Sequence, residues 1–305
     1  MSELNSEIPR KSNDGLLKGA FEETFIDFLR FIYPDADSLF DFSKELVFMD
    51  KELNAIFPDR EQQKGAREAD LLVKIYLLTG KIKWILIHTE LEGGSDAGLG
   101  FRCYQYHYRI LDRYQIPVET IVVYTGDRNQ RRPSKYHYEG IKTSLVFNFS
   151  SCHIFDYEEQ ELLGMQNPFA LILLACQKSL LEGKIAEDVL GRDRLIIAKA
   201  LINCGYSHDR IMALLGFLKN FIYIKDQEIN RIFDQQIEQI SGGTITMGVI
   251  EAIRKQEREE GERRGKLEGE YQKSLEIARN MKNEGMSLAQ IMRFTKLSAE
   301  ELKKL

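Results

Sequence analysis

Two strand-like runs, Ala69–Leu78 and Ile82–Leu91, separated by Thr79-Gly80-Lys81, constrain the fold of this chain more than any other feature. Apolar runs around a short glycine-bearing turn predict an antiparallel hairpin. Strand side chains alternate between faces. Leu71, Val73, Ile75 and Leu77 share one face of the first strand, and Ile85, Ile87 and Leu91 share one face of the second. That face must look into a core. The other bears Asp70 and Lys74 against Trp84, His88, Glu90 and Glu92.

Register gives this face its chemical interest. A turn centred near Gly80 pairs residues whose numbers sum to about 160, which sets Asp70 beside Glu90. Directly opposed residues have Cβ atoms roughly 4.5–5.5 Å apart, and like charges there are destabilising. Glu92 adds a third carboxylate two residues along. Such acids are either the wet side of an amphipathic hairpin or the oxygen donors of a divalent cation, and Mg²⁺ takes carboxylates, waters and substrate phosphates. Two features favour the cation: Trp84 and His88 share the face, and Gly93-Gly94 follows directly, where backbone can approach a ligand.

Around the hairpin, Leu16–Ile32 reads as one core helix, Glu45–Met49 as a short strand and Phe101–Tyr114 as a helix. Val118–Tyr124 and Thr143–Phe149 read as strands. Pro168–Leu181, Arg192–Asn203, His208–Phe221 and Asp226–Ile240 read as helices. From Ile250 to Asn283 the chain is densely charged, with Gly261, Gly265 and Gly269 spaced by four, and predicts a long solvated helix. Ser287–Gln290 and Ser298–Glu301 fit capping boxes, so short helices close the chain.

Forty-two basic and 47 acidic side chains leave a net charge of −5, which argues against coating nucleic acid through bulk charge. The 43% apolar content excludes global disorder. No membrane span or signal peptide is expected, and the four scattered cysteines suit reduced thiols in a cytoplasm.

The order helix, strand, hairpin, helix, strand, with Asp70 opening one hairpin strand and Glu90-x-Glu92 closing the next, resembles the PD-(D/E)XK nuclease superfamily. More narrowly, the strings Asp50-Lys-Glu-Leu53, Ala69–Lys74 and Trp84–Glu92 resemble the Rpn-type recombination-promoting nucleases, also described as transposases. Phe101-Arg102, Tyr106, Arg109-Ile110 and Asn167–Ala170 extend the resemblance. It implies an α/β, restriction-endonuclease-like mixed sheet core flanked by helices, followed by an α-helical half and a long charged helical tail. The expected divisions are a tail at 1–15, a nuclease-like domain at 16–158, a helical subdomain at 159–243, the charged helix at 244–285 and a short helical unit at 286–305.

The activity so implied is metal-dependent DNA endonuclease chemistry linked to recombination or mobile elements, with Mg²⁺ or Mn²⁺ held by Asp70, Glu90 and Glu92. Glu92 departs from the family, which has Lys or Gln at that position. A carboxylate only accepts hydrogen bonds. Glu92 therefore completes a second metal site, or Lys74 substitutes from the neighbouring strand, or the site is silent and the fold serves as a binding scaffold. Arg102, Tyr106 and Arg109 line one helical stripe, from which Arg102 and Arg109 reach DNA phosphates or merely cover the core. Arg131 and Arg132, in a basic loop with Arg128 and Lys135, are candidate DNA-backbone contacts. His88 and Tyr106 stand behind the acids. The C-terminal helices fit either a DNA-reading helix-turn-helix or a packing role, including homo-oligomer formation, and packing is expected because the last of them offers only Lys303 and Lys304 as basic contacts.

Overall fold

The computed structural model describes residues 13–49, 71–78 and 84–240, with positions 273, 277–279, 281–282, 290–291 and 295 of the tail. Asp50–Leu53, Asp70, the turn at Thr79–Lys81 and most of the charged and terminal helices lie outside the described residues. The chain divides into two compact units, Met1–Thr246 and Met247–Leu305.

A five-stranded mixed sheet organises the first unit. Its strands are β1 (Val47–Phe48), β2 (Leu71–Tyr76), β3 (Trp84–Glu92), β4 (Val118–Tyr124) and β7 (Ser150–His153), hydrogen-bonded in that order. β1, β2 and β3 run antiparallel, whereas β3, β4 and β7 run parallel. Parallel neighbours need a crossover, and helix α4 (Leu99–Tyr114) supplies it between β3 and β4. A separate hairpin of β5 (Lys135–Glu139) and β6 (Ser144–Asn148) is inserted before β7. This is the mixed α/β, restriction-endonuclease-like core.

Register follows the hairpin arithmetic. Leu71 faces Thr89, Leu72 faces His88 and Ile75 faces Ile85. The odd-numbered face buries Leu71, Val73, Ile75, Ile87 and Ile121. Helices α1 (Asn13–Glu23), α2 (Phe25–Ile32) and α3 (Ala36–Leu39) precede the sheet. α5 (Glu159–Gly164), α6 (Pro168–Ser179), α7 (Glu187–Ile202), α8 (His208–Phe221) and α9 (Gln227–Ile240) follow it. Phe169 of α6 packs its ring against Phe21 and Phe28 at 4.8 and 5.0 Å, which ties the helical half to the first helices. Asn167 caps α6 by accepting from the Phe169 N–H at 2.8 Å, with Pro168 in the first turn.

Two sequence expectations need correcting. The single helix over 16–32 is two, because the buried Thr24 hydroxyl donates to the Ala20 carbonyl at 2.7 Å, a back-bond that bends helices. Thr143–Phe149 is a strand, shortened to β6, yet it pairs with β5 outside the main sheet. The acid-bearing face is not wet: α4 lies over it, and Tyr106 and Ile110 pack with Leu72, Leu86 and Val118.

Candidate functional site

Strand β3 ends in the sequence Glu90-Leu-Glu92-Gly-Gly, and its even-numbered side chains point at α4. His88, Glu90 and Glu92 are all at or below 1% exposure, so two carboxylates are buried side by side. Burying a charge is costly unless it is paired and hydrogen-bonded. The pairing comes from Arg102, one turn into α4. Its Nη2 donates to Glu90 Oε2 at 3.2 Å and to Glu92 Oε2 at 3.0 Å, and its Nη1 donates to Asp96. Three carboxylates thus share one guanidinium.

The remaining oxygens differ. Glu92 Oε1 accepts from the Gly94 N–H at 2.8 Å. Glu90 Oε1 is buried and has no hydrogen-bond partner among the described residues, with His88 Nε2 standing off at 3.7 Å. His88 is held edge-on against the Tyr106 ring, with centroids 4.9 Å apart. Tyr124, paired with Glu92 across the parallel register, closes the floor. Burial pushes its phenol far above the ordinary range, the charges of Cys103, Glu92 and Glu90 act the same way, and Arg102 opposes them.

The glycine-rich loop after β3 is clamped from the far side by Gln130. Its side-chain N–H donates to the Glu92 carbonyl at 2.6 Å and to the Gly94 carbonyl, and its oxygen accepts from the Gly126 N–H at 2.7 Å. The Arg131 N–H donates to Ser95 Oγ at 3.3 Å, so the basic loop is stitched to the acid-bearing one. Asp96 accepts from the Gly98 N–H at 2.8 Å in the turn that leads into α4.

Of the residues singled out in the sequence, Glu90, Glu92, Arg102, His88 and Tyr106 come together. Lys74 lies opposite Leu86, its ammonium 5.1 Å from the centre of the Tyr76 ring. Arg109 is exposed farther along α4. Arg131 is exposed beside the site loop, while Arg132 pairs with Asp156 at 2.6 Å. Asp70, which immediately precedes Leu71, lies outside the described residues. Among the described residues no three His, Cys, Asp or Glu side chains cluster closely enough to hold a metal. Asp96, Tyr124 and Gln130 carry no signal in the sequence; Gln130 reaches a carbonyl 38 residues away.

The tail carries a likeness to a known family. Residues 272–305 match the family model described as Rpn/YhgA-like nuclease family, C-terminal HTH domain. Over those residues the chain is similar to the Rpn/YhgA-like nuclease family. No curated protein and no solved structure matches it. The match favours the helix-turn-helix, a DNA-binding type of module, which the sequence reading set below packing for these terminal helices. The packing role rests on the basic residues of the last helix alone, whereas the Rpn/YhgA-like domain reaches back through Met281 into the charged stretch. Within this part of the chain Ala278 and Ile291 are buried, and the Thr295 hydroxyl donates to the Ile291 carbonyl at 2.7 Å. Among the described residues, no helix is long and apolar enough to cross a membrane.

Proposed function

We propose that this chain is a metal-dependent DNA endonuclease that hydrolyses phosphodiester bonds, in the setting of recombination or mobile elements that the family resemblance implies. One observation carries the proposal: two buried carboxylates end the central strand beside a glycine loop, and one oxygen of Glu90 has no hydrogen bond among the described residues. An orphaned buried oxygen is costly, and a cation ligand is the partner it fits.

Asp70, Glu90 and Glu92 would hold Mg²⁺ or Mn²⁺, which when bound supplies a water of lowered pKa and stabilises charge on the leaving oxygen. The chain's own groups do the rest. Glu92 fixes the Gly93-Gly94 backbone through its bond to the Gly94 N–H and so shapes the approach to the site. It cannot donate to a phosphate, and the Lys74 ammonium sits over Tyr76. Arg102 is the donor at the site: its planar fork suits a phosphate as well as a carboxylate. A turn of this side chain away from Glu90 would open the acids and present the guanidinium to the scissile group. Arg131, on the stitched loop, and Arg109 offer contacts along the DNA backbone.

A second proposal, a silent nuclease fold used as a binding scaffold that assembles through its helical tail, is favoured by the same Arg102. It already satisfies both glutamates, and they are almost wholly buried. Plasmid nicking with and without chelator, beside calorimetry with Mg²⁺ and Mn²⁺, separates the two. The wild-type chain is expected to nick only with free metal, and Asp70→Ala to lose both metal binding and nicking while melting normally. An Asp70→Ala chain that nicks at the wild-type rate would rule out the carboxylate site. A wild-type chain that binds no metal would leave the scaffold.

A further inference from the structure

The outer side of α4 carries aromatic rings that neither the sheet nor the candidate site uses. Phe101, Tyr104 and Tyr108 recur at helical spacing on one stripe. The β5–β6 hairpin lies against that stripe. Tyr104 is stacked on Tyr136 at 5.5 Å and 20°, and on Tyr108 at 6.3 Å and 25°. Tyr138 shares a hairpin face with Tyr136, since residues two apart in a strand point the same way. The outer rings stay wet: Phe101 is 46% exposed, Tyr108 54% and Tyr138 50%. Exposed rings gathered on neighbouring elements point to an interaction site.

Charge identifies the occupant. Residues 101–148 hold eight basic and four acidic side chains, although the whole chain is net negative. Arg109 and Arg113 are exposed on α4, and Lys135 and Lys142 are exposed on the hairpin. Exposed flat rings and exposed cations on the same two elements are the combination that binds unpaired bases: each base has a π-face to stack, and the backbone takes the charge. A protein partner of neutral or basic surface would not need the cations.

We propose that this face is a stacking platform for the bases of single-stranded DNA. The platform rests on DNA being the substrate of the site described above, and it names the form of DNA. Arg102, which bonds both glutamates, is next to Phe101 on the same helix. Tyr108 lies ~9 Å farther along the helix axis at ~1.5 Å per residue. A stacked strand advances ~3.4 Å per nucleotide. A strand with one phosphate at the carboxylates therefore brings a base to Tyr108 two to three nucleotides away.

The test uses the full-length chain in chelator, so that nothing is cut. Fluorescence anisotropy is recorded with labelled oligothymidylate and with a duplex of equal length. Tyr108→Ala/Tyr138→Ala changes two exposed rings and leaves the core alone. It is expected to weaken oligothymidylate binding at least tenfold, about 1.4 kcal/mol, with duplex affinity unchanged. Tyr108→Phe/Tyr138→Phe keeps the rings and is expected to bind as wild type. Unaltered oligothymidylate affinity in the alanine variant would overturn the platform, as would an equal loss on both DNAs. So would a wild-type dimer that the alanine variant dissolves while oligothymidylate binding persists, because the face would then belong to a second copy. Absence of plasmid nicking, with the tyrosine dependence of binding intact, removes the nuclease and leaves the platform standing.

Discussion

Arg102 controls what the two buried glutamates can do. With Glu90 and Glu92 at 1% exposure and Arg102 itself mostly covered, the three charges form a partly buried network rather than a surface pair. Surface ion pairs contribute little, whereas removing one partner of a buried pair leaves charge uncompensated and costs about 3–5 kcal/mol. Arg102→Gln keeps a shorter side-chain donor and removes the positive charge. It is expected to lower the urea midpoint by an amount near the bottom of that range, since the guanidinium retains some solvent. If the glutamates take a metal, Mg²⁺ then replaces the missing charge. Adding Mg²⁺ should raise the midpoint of Arg102→Gln more than that of the wild type, because in the wild type the ion competes with the guanidinium. Equal shifts in the two chains would show that the glutamates are a structural pair and nothing more.

The elements that hold the site differ in how far they can be read from residues alone. Strand β3 is legible with its register, because strict alternation and a short turn leave few ways to pair two strands, and Leu72 opposite His88 follows the arithmetic about Gly80. β4 is legible as a run of buried apolar residues. β7 is not: Ser-Ser-Cys-His is four residues without alternation, and only the parallel ladder to β4 makes it a strand. The burial of Glu90 and Glu92 is equally hidden. Charged residues are read as wet, and only the docking of α4 dries this face. The clamp on the glycine loop depends on a contact between distant segments. A Cβ on Gly126 would lie 2.7 Å from the Gln130 side chain and 2.8 Å from the Gly93 carbonyl, closer than real Cβ atoms come. Gly126→Ala must therefore push Gln130 or the Gly93 backbone aside. Overpacking of this kind costs about 1–3 kcal/mol. The expected result is a lower urea midpoint together with faster amide exchange at Gly94, whose N–H is fixed by Glu92. Unchanged exchange there would show that the loop does not depend on Gln130.

At the scale of the whole molecule, a chain of net charge −5 can bind DNA only where its basic residues are gathered. They are gathered in the segment around α4 and the β5–β6 hairpin. The second provision is the tail, where residues 272–305 match a helix-turn-helix domain of the nuclease family. These two provisions suit different forms of DNA: a helix-turn-helix reads the duplex through its major groove, whereas exposed rings take unpaired bases. The division into units at Thr246 allows them to be parted. A chain ending at Thr246 retains the sheet, α4, the hairpin and α9, and is expected to melt in one cooperative transition. Its duplex affinity should fall steeply. The slope of log affinity against log salt should also become shallower, by close to one unit for every phosphate that the shortened chain no longer neutralises. Its oligothymidylate affinity should persist. Duplex binding by the shortened chain at full strength and unchanged slope would deprive the tail of a DNA-reading part, and sedimentation of the two chains would then ask whether it assembles copies instead.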